Sequence, residues 1–98
     1  MTRRQSSNLR QPPGVPSQVV VASKMAWGAV IDAYLFDAAR IGDRYAAQAY
    51  FDLSGNIGDG MTVVTPPVTE LIRKDGFVML RSVCEKDHYV IVTEQRMG

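Results

Sequence analysis

The chain has 98 residues, of which 46% are hydrophobic and 21% charged, and a formal net charge of +1. That composition fits a single soluble globular domain and leaves too weak a field to steer the chain onto nucleic acid or an anionic membrane. One cysteine excludes an internal disulfide. No apolar run approaches the roughly 18 residues that a membrane helix needs, and the leading arginines are not followed by the apolar segment of a secretory signal. A cytoplasmic location is therefore expected.

Residues 1–18, MTRRQSSNLRQPPGVPSQ, form the first segment. Arg3, Arg4 and Arg10 give it a charge of +3 with no acidic residue to offset them, so the rest of the chain is net negative. Apolar side chains are too few to offset the entropy of ordering, so a disordered basic arm is expected. Its three prolines favour extended conformations. Such an arm could contact phosphates or lie in a partner's groove.

A helix is predicted next. Ser23 is a suitable N-cap. From it, Trp27, Val30, Ile31, Tyr34, Leu35, Ala38 and Ile41 recur at three- and four-residue steps, the stripe of an amphipathic helix. Gly42 sits where a helix commonly stops. Gly28 weakens such a helix, and close approach to a sheet would explain it.

The period then changes to two. In DRYAAQAYFDL, Tyr45, Ala47, Ala49, Phe51 and Leu53 share one face, which predicts a strand over 44–53. Alanine's weak strand preference makes helix the rival, and the small side chains would let a helix pack closely. SGNIGDG is a loop. Strands follow at MTVVT, VTELIR, FVMLRSV and HYVIVTE, with Asp75-Gly76 and 85–87 as turns.

Short turns demand antiparallel neighbours, and a helix followed by a run of strands implies α+β. The expected domain, 19–98, is one amphipathic helix on a four- to five-stranded antiparallel meander. Phe77 and Met79 oppose Val78 and Leu80, and Tyr89 and Ile91 oppose Val90 and Val92, so both sheet faces are apolar. One helix covers one face. The other must be closed by curling into a partial barrel, by a second copy, or by a partner. Phe77, Met79, Tyr89 and Ile91 are accordingly candidate interaction residues, with Arg3, Arg4 and Arg10 on the arm.

Motifs for chemistry are sparse. GNIGDG has neither dinucleotide-binding spacing nor a following helix, and it lacks a P-loop lysine and the spaced acids of a calcium loop. The ten carboxylates form no acid–base pair. Cys84 and His88, the only residues of their kinds, flank a turn. An odd-length loop would place Cys84 opposite His88, an even one opposite Tyr89. Neither provides the ligands of a zinc site or the third group of a cysteine nucleophile. Cys84 is a candidate redox-sensitive thiol; no catalytic, metal or cofactor residue is assigned.

The stretch LSGNIGDGMTVVTPPVTELIRKDGFVMLRS, with two Asp-Gly steps around a β-branched run, resembles short open reading frames of phages and plasmids. The resemblance implies a phage- or mobile-element-encoded protein and carries over no site residue. The expected function is that of a small non-enzymatic interaction or regulatory protein, with another protein or a second copy as partner. The alternative is a nucleic-acid-associated module that uses the arm.

Overall fold

The computed structural model describes residues 14–95. It is an α+β fold with a short helix α1 (Ser17–Ser23) and six strands: β1 (Ala33–Ile41), β2 (Arg44–Tyr50), β3 (Met61–Val64), β4 (Val68–Lys74), β5 (Phe77–Ser82) and β6 (His88–Ile91). All six form one sheet in the order β3-β2-β1-β6-β5-β4. Neighbours are antiparallel except β1 and β6, which run parallel. The chain starts mid-sheet, works outward to β3, crosses to the opposite edge at β4, and works back to β6.

That crossing sets the shape. Residues 65–67 alone connect the two edge strands. They let Val64 and Val68 lie at most about 14 Å apart. In a flat six-stranded sheet the edges would be about 24 Å apart. The sheet must curl. Residues 61–74 behave as one bent strand whose first half pairs with β2 and second half with β5. Pro66 and Pro67 make the corner, where no ladder donor is needed. Hydrogen bonds hold it on both sides. Thr65 N–H donates to the Tyr45 carbonyl at 2.8 Å, Val68 N–H to Asp43 at 2.8 Å, and Val83 N–H to Pro67 at 2.9 Å. The buried Thr65 hydroxyl accepts from Tyr45 N–H at 3.0 Å and donates to the Pro66 carbonyl at 2.8 Å. β3 and β4 do not pair with each other, so the sheet is curled but not closed.

Two cores result. On the outer face, Val15, Val19 and Ala22 of the helical segment pack with Trp27 against Tyr34, Tyr50, Phe77, Met79, Val90 and Val92. Trp27 is anchored by its indole N–H to the Ala22 carbonyl at 2.9 Å, an edge contact with Phe77, and the Lys74 ammonium over its ring at 5.3 Å. Inside the curl lie Leu35, Ala38, Ala47, Val68, Val78, Leu80 and Ile91. Ala47 of β2 belongs here: a tightly curled interior has little room for larger side chains.

Several expectations are corrected. The helix predicted from Ser23 to Ile41 is absent. Ser23 instead ends α1, donating its hydroxyl to the Val20 carbonyl at 2.7 Å. Most of the predicted stripe belongs to β1. The cause is a bulge between Phe36 and Ala39, with Asp37 in the left-handed region at φ 59°. It puts Leu35 and Ala38 on the same interior face, three residues apart, which reads as helical spacing. Gly28, at φ 77°, lies in the connection to β1, and Gly42, at φ 62°, in the β1–β2 turn. The sheet has six strands and a parallel central pair, where four or five antiparallel strands were expected. The strand predicted over 44–53 ends at Tyr50. Phe51 adopts φ 55° and turns to the outer core, and Leu53 is exposed. The later strands and the Asp75-Gly76 turn are as expected. Within the stretch expected as an arm, Val15 is buried and α1 begins at Ser17. Residues 1–13, including Arg3, Arg4 and Arg10, lie outside the described residues.

Candidate functional site

The residues proposed for an exposed sheet face are mostly core. Phe77 and Met79 are buried beneath the helical segment, and Ile91 is buried inside the curl. Curling and the helix cover most of both faces, while residues 69–74 of β4 stay exposed. Tyr89 alone is half-buried and reaches a cavity. Exposed apolar side chains occur instead at Leu53, Met61 and Val64, on and beside the β3 edge, at Leu71 and Ile72 on β4, and singly elsewhere.

The Cys84–His88 question is settled by a register that neither alternative assumed. The β5–β6 ladder ends at Arg81 opposite His88, and Ser82 N–H donates to the Asp87 carbonyl at 2.9 Å. Residues 83–86 form the loop, so Cys84 has no cross-strand partner. Its exposed sulfur lies 3.3 Å from the Ser82 hydroxyl. That hydrogen bond, followed by one from the Lys86 backbone, lowers the thiol's pKa below its usual value. His88 is placed by its backbone, donating N–H to Asp32 Oδ2 at 2.8 Å. Among the described residues, no group of three or more His, Cys, Asp or Glu side chains could hold a metal ion.

The most site-like feature is the seam that the unclosed sheet leaves, a cavity of about 240 Å³. One side is β3 and the corner: Val63, Val64 and Thr65. The opposite side is the β5–β6 hairpin, through Asp87 and Tyr89. Ala33 and Leu35 of β1 and Ala49 of β2 line it from within the sheet. Asp32, Asp52, Ser54 and Ile57 complete the lining.

Its electrostatics are one-sided. Asp32, Asp52 and Asp87 line it, and among the described residues no Lys or Arg does. Asp52 organises the loop after β2: its Oδ2 accepts from the Ser54 hydroxyl at 2.5 Å and from the backbones of Asn56 and Ile57. The Ser54 hydrogen bond is the main cause of its lowered pKa. Tyr89 is shifted the other way, up to about 12, by burial and then by Asp87 and Asp32. Its hydroxyl therefore stays protonated at neutral pH and available as a donor. An apolar pocket ringed by carboxylates favours a ligand with an apolar tip and flanking cations.

β3 adds a second recognition element. Thr65 and Tyr45 exchange hydrogen bonds, and the register continues through Ala47–Val63. Alternation along an antiparallel ladder then turns the backbone groups of Thr62 and Val64 away from β2. No strand pairs with them on that side. Sequence reasoning missed this site because Asp32, Asp52 and Asp87 stand twenty or more positions apart. The uncharged MTVV strand was the one visible signal.

The chain matches no protein-family model, no curated protein and no solved structure. None of the helices among the described residues is long and apolar enough to cross a membrane.

Proposed function

We propose that the protein is a small non-enzymatic interaction module that binds an extended, basic peptide segment of a protein partner in the seam. The carrying observation is the coincidence, among the described residues, of an unpaired strand edge with an apolar cavity lined by acidic and no basic side chains. An added strand would take its backbone hydrogen bonds from Thr62 and Val64, as in β-strand addition. One side chain would enter the cavity. At about 240 Å³ the cavity is smaller than the roughly 300–1,000 Å³ of pockets for drug-sized ligands and suits a single side chain. Flanking Lys or Arg would meet Asp32, Asp52 and Asp87. The same carboxylates disfavour nucleic acid at the seam.

Selection from a random peptide display library tests this. The expected enrichment is for an apolar residue flanked by Lys or Arg. Binding of the enriched peptides should fall at least tenfold in Val64→Pro, which removes an outward N–H without touching the β2 ladder, and in Asp87→Lys. Circular dichroism checks that both variants fold. No enrichment, or equal binding to folded variants, refutes the reading.

A further inference from the structure

The seam has two unlike ends, and they decide which part of a partner it can take. At the corner it is closed. Val68 pairs with Ser82, and Val83 N–H donates to the Pro67 carbonyl at 2.9 Å. Paired strands lie about 4.8 Å apart, so no further strand passes between them. Back along the chain, at β3, no ladder joins the two walls among the described residues.

The other end is acidic. Asp32 precedes β1, and its Oδ2 accepts from His88 N–H at 2.8 Å, beside Asp87. Its carbonyl accepts from Leu53 N–H at 2.8 Å, beside Asp52. Phe51 N–H donates to Asp59 Oδ1 at 2.8 Å, just before β3 begins. These bonds gather the three lining carboxylates at the end of the sheet where β3 starts. This end meets solvent, with Ser54 exposed.

We infer that the seam takes the free amino terminus of a partner protein, inserted antiparallel to β3, with its second side chain in the cavity and basic residues trailing at the acidic mouth. This rests on reading the seam as a peptide groove, and narrows that reading to one chain end, one direction and one register.

The register follows from the ladder. On its unpaired side β3 presents the backbone groups of Thr62 and Val64. In an antiparallel addition, each exchanges two hydrogen bonds with the partner residue opposite. The corner stops the partner beyond Val64, so the residue opposite Val64 is its first. The α-amine of that residue donates to the Val64 carbonyl. The second residue lies opposite Val63, which packs on the interior core and lines the cavity. Directly opposed residues share a face, so the second side chain enters the cavity. The fourth residue lies opposite Met61, which is level with Ala49. Asp52 follows Ala49 in the chain, beyond the end of β2, so cations from about the fifth residue onward meet the carboxylates.

The direction follows from charge. A strand parallel to β3 would bring a carboxyl terminus to the corner. The donors there are committed: Thr65 N–H to the Tyr45 carbonyl, its hydroxyl to Pro66, and Val83 N–H to Pro67. The three lining carboxylates repel an anionic terminus and attract an α-ammonium.

Random peptide libraries anchored to beads by their carboxyl ends test this, with full-length protein as the probe. One library keeps the free α-amine, a second is acetylated at that amine alone, and a third carries a fixed Ser-Gly-Ser-Gly extension ahead of the random part. The free-amine library should enrich an apolar residue at the second position and Lys or Arg from about the fifth. Resynthesised hits should bind at least about tenfold more weakly once acetylated or extended, because a charged hydrogen bond is lost or the chain end no longer fits. Equal enrichment in the extended library, or equal binding of acetylated hits, overturns the inference and leaves the groove standing. Lys or Arg enriched only ahead of the apolar residue reverses the direction and also overturns it. No enrichment in any library refutes the groove and the inference together.

Discussion

Two openings of the curled sheet differ in their electrostatics. Among the described residues, the seam between β3 and the β5–β6 hairpin is lined by Asp32, Asp52 and Asp87 and by no Lys or Arg. The second opening, of about 260 Å³, is lined by Arg40, Asp43, Tyr45, Val68, Thr69, Glu70 and Leu80. Here charge is balanced and committed. Arg73 binds Glu70 through two nitrogens, at 2.7 and 3.1 Å, which raises the guanidinium pKa. Arg40 donates to the Gly42 carbonyl at 2.8 Å and sits 6.0 Å from the Tyr45 ring centre. The neighbouring edge strands differ in the same way. β4 carries a bulge between Glu70 and Ile72 and the charges Glu70, Arg73 and Lys74, features that discourage strand addition. β3 is short but uncharged, with no bulge in its pairing to β2. One opening pairs its charges with its own side chains; the other leaves a strand edge unpaired and its carboxylates, though hydrogen-bonded at Asp32 and Asp52, without a cation among the described residues.

That contrast can be broken at its foundation. Leu35 is fully buried, packing in the interior core while lining the seam. Leu35→Ala should give the largest loss, about 2–5 kcal/mol in denaturant unfolding. A loss well under 1 kcal/mol would mean that the interior is not a packed core.

The next effect concerns the corner that lets the edges differ. Thr65→Val keeps the shape but removes the acceptor for Tyr45 N–H. It should cost about 1–3 kcal/mol, because a buried donor loses its partner. A neutral substitution would show that the prolines hold the bend without it.

The smallest effect compares the openings directly. Asp87→Asn relieves repulsion among unneutralised carboxylates and should raise Tm slightly at low salt. Glu70→Gln breaks the ion pair with Arg73 and should lower it slightly. Both shifts should be small, because exposed charge pairs contribute little, and both should shrink with salt. Shifts of the same sign would remove the electrostatic distinction.

The strands beyond residue 44 were legible because alternation and Gly-containing turns are local signals. β3 to β6 begin and end close to where the period-two runs do. Phe77, Met79 and Ile91 show the limit of that reading. Their alternation marks two apolar faces, but only the curl decides that both are buried. Of the candidate site only the uncharged MTVV strand was legible, because its carboxylates come from positions 32, 52 and 87.

By itself the sequence determined the turns, the later strands, the two-sided apolarity and the absence of a recognisable catalytic motif. These depend on neighbours in the chain. The tertiary structure decided that 33–41 is a strand, that β1 runs parallel to β6, and that the carboxylates at 32, 52 and 87 share one cavity. Each depends on partners far apart in sequence. The bulge at Asp37 gives a strand the spacing of a helix, and only its ladders to β2 and β6 distinguish the two. Likewise, Thr65-Pro66-Pro67 reads as a linker until its two ends prove to be opposite edges of one sheet. The connection is too short for a flat sheet, so the sheet curls, and the gap in that curl is the seam.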